Sequence, residues 1–333
     1  MKEIKIFFVD FWKGFNNKNN FILSALKNQY HIIIDPHNPD YLFYSLFGSD
    51  HFRYQDSIKI YFTGENDVPD FNLCDYGIAS ALLTFGDRYF RLPLYTLYDG
   101  YEDVIAKVGN VGALHTTPLQ QQYLQRKFCN FVYSNAQLSN PIREEFFHRL
   151  SLYKQVDSGG KYLNNIGGQV DDKINFIKDY KFTIAFENSS VSGYTTEKLL
   201  DPMQVNSIPI YWGNPNVDLD FNTKSFINIA DYQSIDEVIK EIIYLDTHDE
   251  AYLEKLSQPW IGKEQKQNFL NELSIFLKNI IEQPVPLAKR TTPYGFFKRY
   301  REKQFISSML YENKWLRPVL KKIILPLHPK KYY

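Results

Sequence analysis

The chain has 333 residues, a length that fits two average domains and is enough to bury a core without disulfides or metals. Its 38 basic and 38 acidic side chains give a formal charge of zero, which argues against a dedicated nucleic-acid binder and an acidic disordered chain. That zero is a cancellation. Residues 285–333 hold 12 Lys/Arg and 2 Asp/Glu, which leaves 26 against 36 in residues 1–284. We therefore predict an acidic body with a basic, aromatic tail.

The two cysteines, Cys74 and Cys129, lie in apolar surroundings without metal-ligand spacing, and we expect both to be buried free thiols. The first residues, MKEIKIFFVDFW, are charged from the start and resemble a strand, so no secretory signal is expected. No stretch approaches 18 uninterrupted apolar residues, and so we expect no transmembrane helix and a cytoplasmic location.

The first third of the chain contains apolar runs that are typical of strands. Runs at 5–10, 31–35, 40–48 and 58–64 are rich in β-branched or aromatic residues and end near Gly or Asp, and residues 19–29 have helical spacing. Strands alternating with a helix in this way predict an α/β sheet.

The same alternation continues after residue 119. Strands are expected at 131–135, 181–188, 207–213 and 225–232. Helices are expected at 119–130, 142–150, 173–178, 195–200, 235–245 and 268–281. The sequence Ser234-Ile-Asp-Glu237 fits a capping box at the start of the fifth helix. In the sixth helix, the predicted apolar stripe consists of Leu270, Leu273, Phe276, Leu277, Ile280 and Ile281.

Two of these strands end in polar sequences that could carry chemistry. They are YFTGEN (61–66) and AFENSSVSGYTTEK (185–198), and each places a Glu and an Asn just after an apolar run. Ligands of open α/β sheets bind beyond the carboxyl ends of the strands, so we expect a functional site at these two segments.

Residues 186–232 resemble the α-1,3-fucosyltransferases of glycosyltransferase family 10 through the pieces FENS, GYTTEK, IPIYWGNP and FNTKSFI. Further similarity lies in YFTGENDVPDFNLCDYGI (61–78), GDRYFRLPLY (86–95), SNPIREEFF (139–147) and SGGKYLNNIGG (158–168). The resemblance covers roughly residues 1–260 and is specific because it combines several motifs. Composition and periodicity alone do not indicate fucose.

The resemblance implies an α/β protein with the GT-B fold, in which two Rossmann-like domains face a central cleft. Residues 1–150 are then the N-terminal acceptor-binding domain, and residues 151–284 are the C-terminal domain that binds the GDP-sugar donor. Residues 285–333 are expected to form a basic amphipathic helical tail.

The implied reaction is an inverting transfer of L-fucose from GDP-β-L-fucose to an acceptor hydroxyl. The expected acceptor is the 3-hydroxyl of GlcNAc or Glc in a surface glycan such as lipopolysaccharide O-antigen or capsule. No obligatory cofactor or metal is expected, because the seven His lack ligand spacing and no DxD-type motif follows a suitable strand. The acceptor, the choice between 1,3 and 1,4 linkage, and the oligomeric state stay open.

The resemblance also assigns roles to single residues. Glu65 matches the proposed general base, which takes the proton of the acceptor hydroxyl. Arg143 and Lys198 match residues that bind the donor diphosphate, and a guanidinium fork or an ammonium suits phosphate oxygens. Glu197 suits ribose hydroxyls, and Asn188 and Tyr194 complete the donor set. The weaker candidates are Lys161 and Asn164, in a glycine-containing loop that could close over the donor.

Four of these residues also have a purely structural interpretation. Glu65 could be a loop residue that binds nearby amides, Arg143 a surface helix residue, and the Glu197–Lys198 pair a solvated helix face. Two alternative functions also stay open: a related transferase with a different donor sugar, and a non-catalytic glycan-binding module.

Within the tail, the sequence from Trp315 has helical spacing of apolar residues at Leu316, Val319, Leu320, Ile323 and Ile324. Arg317, Lys321 and Lys322 lie largely off that stripe. This pattern favours a helix at an anionic membrane surface, with peripheral attachment to the inner face of the cytoplasmic membrane. The alternative is a tail that packs back onto the acidic body.

Overall fold

Two separate parallel sheets organise the chain in a computed structural model that describes residues 1–98, 100–101, 104, 117–134, 139–261, 268–292 and 294–312. The strands are β1 (Lys2–Val9), β2 (Tyr30–Ile34), β3 (Tyr41–Tyr44), β4 (Ile58–Phe62), β5 (Tyr76–Ala79), β6 (Tyr89–Arg91), β7 (Lys127–Phe131), β8 (Val156–Ser158), β9 (Tyr180–Phe186), β10 (Ile208–Trp212) and β11 (Ile227–Asn228). The helices are α1 (Phe21–Leu26), α2 (Thr117–Leu124), α3 (Ile142–Ser151), α4 (Lys173–Ile177), α5 (Glu197–Gln204), α6 (Ile235–Thr247), α7 (Asp249–Leu256), α8 (Phe269–Ile281), α9 (Val285–Ala288) and α10 (Gly295–Glu312).

The first unit contains the sheet β2-β1-β3-β4-β5-β6 and comprises Met1–Ala79, Leu83–Leu92 and the chain from Asn268 onward. All its strands pair in parallel. Every residue of β4 is buried, as expected for a central strand covered on both faces.

The second unit contains the parallel sheet β11-β10-β9-β7-β8 and comprises Ser80–Leu82 and Pro93–Gln267. All seven residues of β9 are buried. Helix α6 begins as predicted, because Ser234 Oγ accepts from the amide of Glu237 at 3.3 Å. The Glu237 carboxylate reaches back to the amide of Gln233 at 3.0 Å, one residue before the usual capping-box position.

The division of the chain differs from the boundary expected near residue 150. Strand β7 and helix α3 lie before that residue, yet β7 pairs with β9 in the second sheet. The C-terminal part of the predicted second domain also lies elsewhere, because α8 belongs to the first unit. There Ser274 Oγ donates to the carbonyl of Ala25 at 2.8 Å.

Local predictions of element bounds fail at two strands. A helix was expected over 119–130 and a strand over 131–135, but α2 ends at Leu124 and β7 occupies Lys127–Phe131. Four of the five residues of β7 are buried, which favours a sheet position over the helical pattern. The strand expected at 225–232 is shortened to Ile227–Asn228, since Asn228 caps a following turn.

The described part of the tail packs on the first unit. The buried Asp75 carboxylate accepts from the amides of Arg290 at 2.7 Å and Thr291 at 2.6 Å, and from the Thr291 hydroxyl at 2.9 Å. In α10, the Tyr300 hydroxyl donates to Asp70 at 2.6 Å. The predicted membrane helix from Trp315 lies outside the described residues.

Further expectations concern thiols and membrane spans. Cys74 and Cys129 are both buried free thiols, as predicted. Among the helices that the structure describes, none combines the length and apolar character that crossing a bilayer requires.

Helix α8 offers a test of its packing on the first unit. Leu277 is fully buried, whereas Leu270 is 44% exposed and lies off the buried face to which it was assigned. Leu277→Ala should lower the free energy of unfolding by about 2–5 kcal/mol because it leaves a cavity. Leu270→Ala, the matched control, should change it by less than about 0.5 kcal/mol. Equal effects in urea unfolding would contradict this packing.

Candidate functional site

The second sheet has a topological switch point between β7 and β9. The chain leaves β7 for β8 on one side and returns to β9 on the other side. In parallel α/β sheets, ligands bind beyond the carboxyl ends of the strands at such a point. Glu187 and Asn188 directly follow β9, and so they lie at this position.

Arg143 comes from the first turn of α3 and is buried at the carboxyl end of β9, with 1% of its surface exposed. Its Nη2 donates to the carbonyls of Phe186 and Glu187 at 3.0 and 2.9 Å and to Asn188 Oδ1 at 2.9 Å. The guanidinium also lies 4.1 Å from the centre of the Tyr133 ring. Arg143 is therefore no surface helix residue, and it joins Asn188 as part of one site.

The Glu187 carboxylate is the fully buried acidic group of this site. It accepts from the Thr196 amide at 2.8 Å, the Thr196 hydroxyl at 2.9 Å and Lys198 Nζ at 3.1 Å. Thr196 is also the N-cap of α5, so Glu187 ties the end of β9 to the start of that helix. The helix begins at Glu197, two residues after the predicted start. The sequence places Glu187 in a segment that is expected to carry the site, but it indicates no individual role for this residue.

Lys198 lies between two carboxylates. Its Nζ is 3.1 Å from Glu187 and 3.6 Å from Glu197, and its side chain is 16% exposed. Burial alone would lower the pKa of Lys198, but the two carboxylates outweigh burial and hold the pKa above its ordinary value. Burial raises the pKa of Glu187, against the opposing effect of Lys198. Lys198 is thus held as a fixed cation at the start of α5.

Glu197 faces a different set of partners. Burial acts to raise its pKa, but Lys198, Lys173 and a hydrogen bond from Tyr98 outweigh burial and keep the pKa below its ordinary value. Glu197 is therefore held as an ionised acceptor, with a quarter of its side chain exposed. A partly exposed, ionised carboxylate is able to accept hydrogen bonds from ligand hydroxyls. The sequence did not predict the hydrogen bond from Tyr98 to Glu197, because the two residues are distant in the chain.

A glycine and an asparagine shape the loop between β9 and α5. Gly193 has a φ of +87°, and a Cβ there would lie 2.5 Å from the carbonyl oxygen of Ser80, so a larger residue does not fit. Asn214 accepts from the Gly193 amide at 2.8 Å and donates to the Thr195 hydroxyl at 3.1 Å. Tyr194 between them is buried, with 4% exposed. The loop is therefore braced from the turn that follows β10, a connection that the sequence did not predict.

The two candidate residues of the glycine-containing loop at 158–168, Lys161 and Asn164, lie in different environments. Asn164 Nδ2 donates to the carbonyls of Gly160 and Gly168 at 2.8 Å each, so Asn164 holds the loop together. Lys161 is exposed. The structure thus gives Asn164 a structural position and leaves Lys161 accessible.

Glu65 lies in the first unit, in the loop that follows β4. Its amide donates to Thr63 Oγ1 at 3.0 Å, and its carbonyl accepts from the Asp67 amide at 2.8 Å. These bonds fix the loop backbone, while the Glu65 side chain is exposed. Its carboxylate is therefore accessible to an approaching hydroxyl.

No group of three His, Cys, Asp or Glu side chains able to hold a metal ion occurs in the part of the chain that the structure describes. That finding leaves the expectation of a metal-independent reaction as a prediction.

Comparisons with known proteins match this geometry to one family. The model of the "Alpha-(1,3)-fucosyltransferase FucT N-terminal domain" matches residues 6–98, and that of "Glycosyltransferase family 10 (fucosyltransferase) C-term" matches residues 123–273. A crystal structure of an α1,3-fucosyltransferase with GDP-fucose is 31% identical, with a TM-score of 0.71, and the match covers 85% of this chain and 92% of that one.

Among curated relatives, the α-(1,3)-fucosyltransferase FucT of Helicobacter pylori is 35% identical over 303 residues. That match covers 80% of this chain and 62% of the relative. Human GDP-fucose protein O-fucosyltransferase 3 is 28% identical over 56% of this chain and 40% of its own length. The chain thus spans less than two thirds of these curated relatives. The chain belongs to glycosyltransferase family 10, the fucosyltransferases.

Proposed function

We propose that the chain is an inverting α-1,3-fucosyltransferase that uses GDP-β-L-fucose as its donor. The observation that carries this proposal is the fixed cation Lys198, held by the buried Glu187 at the start of α5 and at the switch point of the second sheet. The solved α1,3-fucosyltransferase with GDP-fucose supports the identity of the donor.

On the donor side, charge develops on the diphosphate as the bond from fucose C1 to the GDP oxygen breaks. Lys198 and Arg143 supply positive charge at the carboxyl end of β9, where a fixed cation stabilises a leaving anion without reorganisation. Asn188 offers an amide beside Arg143, and Glu197 offers an ionised acceptor for ribose hydroxyls. Tyr194 and the Asn164-braced loop with Lys161 complete the proposed donor set.

On the acceptor side, we assign the general base to Glu65. The acceptor oxygen attacks fucose C1, its proton passes to the Glu65 carboxylate, and the β-linked donor becomes an α-linked product. The exposed position of Glu65 suits this role because a glycan hydroxyl can reach it without a local opening. We propose that the accepting group is the 3-hydroxyl of GlcNAc or Glc in a surface glycan such as lipopolysaccharide O-antigen or capsule.

The two other functions make different predictions in one assay. Incubation with GDP-fucose and with other GDP- and UDP-sugars, each with a glycan acceptor panel, should give GDP release and a fucosylated product only with GDP-fucose. Release with another donor alone would indicate a related transferase. Glycan affinity without nucleotide release would indicate a binding module. Product analysis by NMR gives the linkage.

Glu65→Gln tests the base assignment. Turnover should fall by about 100-fold or more, because the amide cannot accept the hydroxyl proton, while GDP affinity stays within about twofold. Asp67→Asn is the matched control two residues away and should keep most of the turnover. Steady-state kinetics with calorimetric GDP binding measures both. Turnover of Glu65→Gln within a few fold of the parent chain would refute the assignment.

Glu187 is proposed as a positioning residue for Lys198. Glu187→Ala should raise the KM for GDP-fucose by about tenfold or more, because Lys198 and the Thr196 cap both lose their partner. Glu187→Gln keeps one oxygen acceptor but replaces the other with an NH2 donor, so it cannot accept from both Thr196 and Lys198, and its KM should rise by less than that of Glu187→Ala.

The exposed Glu250→Ala is the control for loss of a carboxylate elsewhere in the same unit and should leave KM unchanged. The assignment fails if Glu187→Ala binds donor normally, or if Glu187→Gln is as impaired as Glu187→Ala in the KM for GDP-fucose.

We further propose that the chain works in the cytoplasm and attaches peripherally to the inner face of the cytoplasmic membrane through residues 313–333. Removing that segment leaves the Asp75 and Tyr300 contacts of the tail intact. The shortened chain should therefore keep its activity on a soluble acceptor but leave the membrane fraction. Retention in the membrane fraction after this truncation would contradict the attachment.

A further inference from the structure

The first unit contains a cavity of about 280 Å³ where α10 covers the chain before and at the start of β4. Four of the side chains that line it are cationic: Arg53, Lys59, Lys298 and Arg301. The one carboxylate in the lining, that of Glu302, lies 3.9 Å from Lys298 on the same helix. The described lining therefore carries a clear excess of positive charge.

Lys59 is the unusual member of this set because it is almost completely buried, with 3% of its surface exposed. Its ammonium makes no hydrogen bond or ion pair with any residue that the structure describes. A buried lysine is rarely left without a partner, since taking an ammonium out of water is costly. The cavity is the space into which a partner could enter.

The buried carboxylate of Asp75 does not serve as that partner. Asp75 Oδ2 accepts from the backbone amide of Lys59 at 2.8 Å, and its other oxygen accepts from Arg290 and Thr291. Burial, followed by the positive charges of Lys289 and Arg301, lowers the pKa of Lys59 to about 8, against the opposing effect of Asp75. An anion in the cavity would reverse that effect and stabilise the charged lysine.

The cavity is separate from the proposed catalytic groups of this unit. Lys59 is the second residue of β4, whereas Glu65 lies three residues after the end of that strand. The spacing of six residue positions between them corresponds to at most about 20 Å of extended chain. The acceptor base and the Lys59 cavity thus lie toward opposite ends of β4.

We propose that this cavity is a second binding site, which takes a phosphate group with Lys59 at its base. Arg301 offers a planar fork and Lys298 a mobile ammonium, a combination suited to phosphate oxygens. The rings of Phe52 and Phe305 lie 5.5 Å apart in the lining and can contact the apolar part of a phosphate ester. Residues 313–333 contain no Asp or Glu, so that segment has no acidic side chain to offer Lys59.

Inorganic pyrophosphate is the first probe. Pyrophosphate should raise the Tm of the parent chain. In calorimetry, it should show a binding event whose affinity falls by about tenfold or more in Lys59→Met. Lys298→Gln should weaken the same binding event several-fold and cannot unfold the chain, because Lys298 is exposed. Lys303→Gln removes an equal charge from an exposed position of α10 outside the cavity lining and should bind like the parent. Pyrophosphate can also bind at the proposed GDP site, but that contribution is the same in the parent chain and in the three variants.

A second arm distinguishes a soluble phosphate from a lipid headgroup. In flotation, vesicles of phosphatidylglycerol and of phosphatidylcholine are mixed with the same proteins. Lys59-dependent binding of pyrophosphate alone assigns a soluble ligand, and Lys59-dependent flotation with phosphatidylglycerol assigns a lipid.

Stability without ligand separates a binding lysine from a structural one. With no anion present, Lys59→Met should melt no lower than the parent chain, because it removes a buried charge that has no partner. The proposal is overturned if Lys59→Met and Lys298→Gln match Lys303→Gln in both binding arms. A large loss of Tm in Lys59→Met without anion would also contradict it.

Discussion

The proposed donor site depends on the interactions of the buried Glu187 carboxylate. It holds the Thr196 cap and the Lys198 ammonium at once, and so it joins the end of β9 to the first turn of α5. Burying a carboxylate costs free energy unless its oxygens have hydrogen-bond donors or a cation beside them. Both oxygens of Glu187 have such partners. This constraint fixes both the direction of α5 and the place of its charge.

Arg143, from helix α3, also binds the carboxyl end of β9. Its bonds to the carbonyls of Phe186 and Glu187 and to Asn188 hold the guanidinium in a defined position. Such preorganisation suits a transferase, because a cation that is already in place needs no rearrangement as the leaving group gains charge. The brace from Asn214 to the Gly193 loop serves the same end.

The sequence predicted much of this architecture, and the failures have physical causes. The α/β class, the Ser234 cap and the buried β9 follow from local patterns that the structure retains. The predicted domain boundary failed because β7 pairs with β9 through residues 53 positions apart in the chain, a pairing that no local pattern encodes. In the site, Arg143, Asn188 and Lys198 were named from family motifs. Glu187 received no role because its importance comes from burial, which appears only in three dimensions.

The central claim, that Lys198 recognises the diphosphate of the donor, is best tested by measuring GDP and GMP affinities for the parent chain and Lys198→Met. The account predicts that the substitution weakens GDP binding by about tenfold to 100-fold, the range of a charge-assisted hydrogen bond, and weakens GMP binding much less. Equal losses for the two nucleotides, or no loss for GDP, would contradict it.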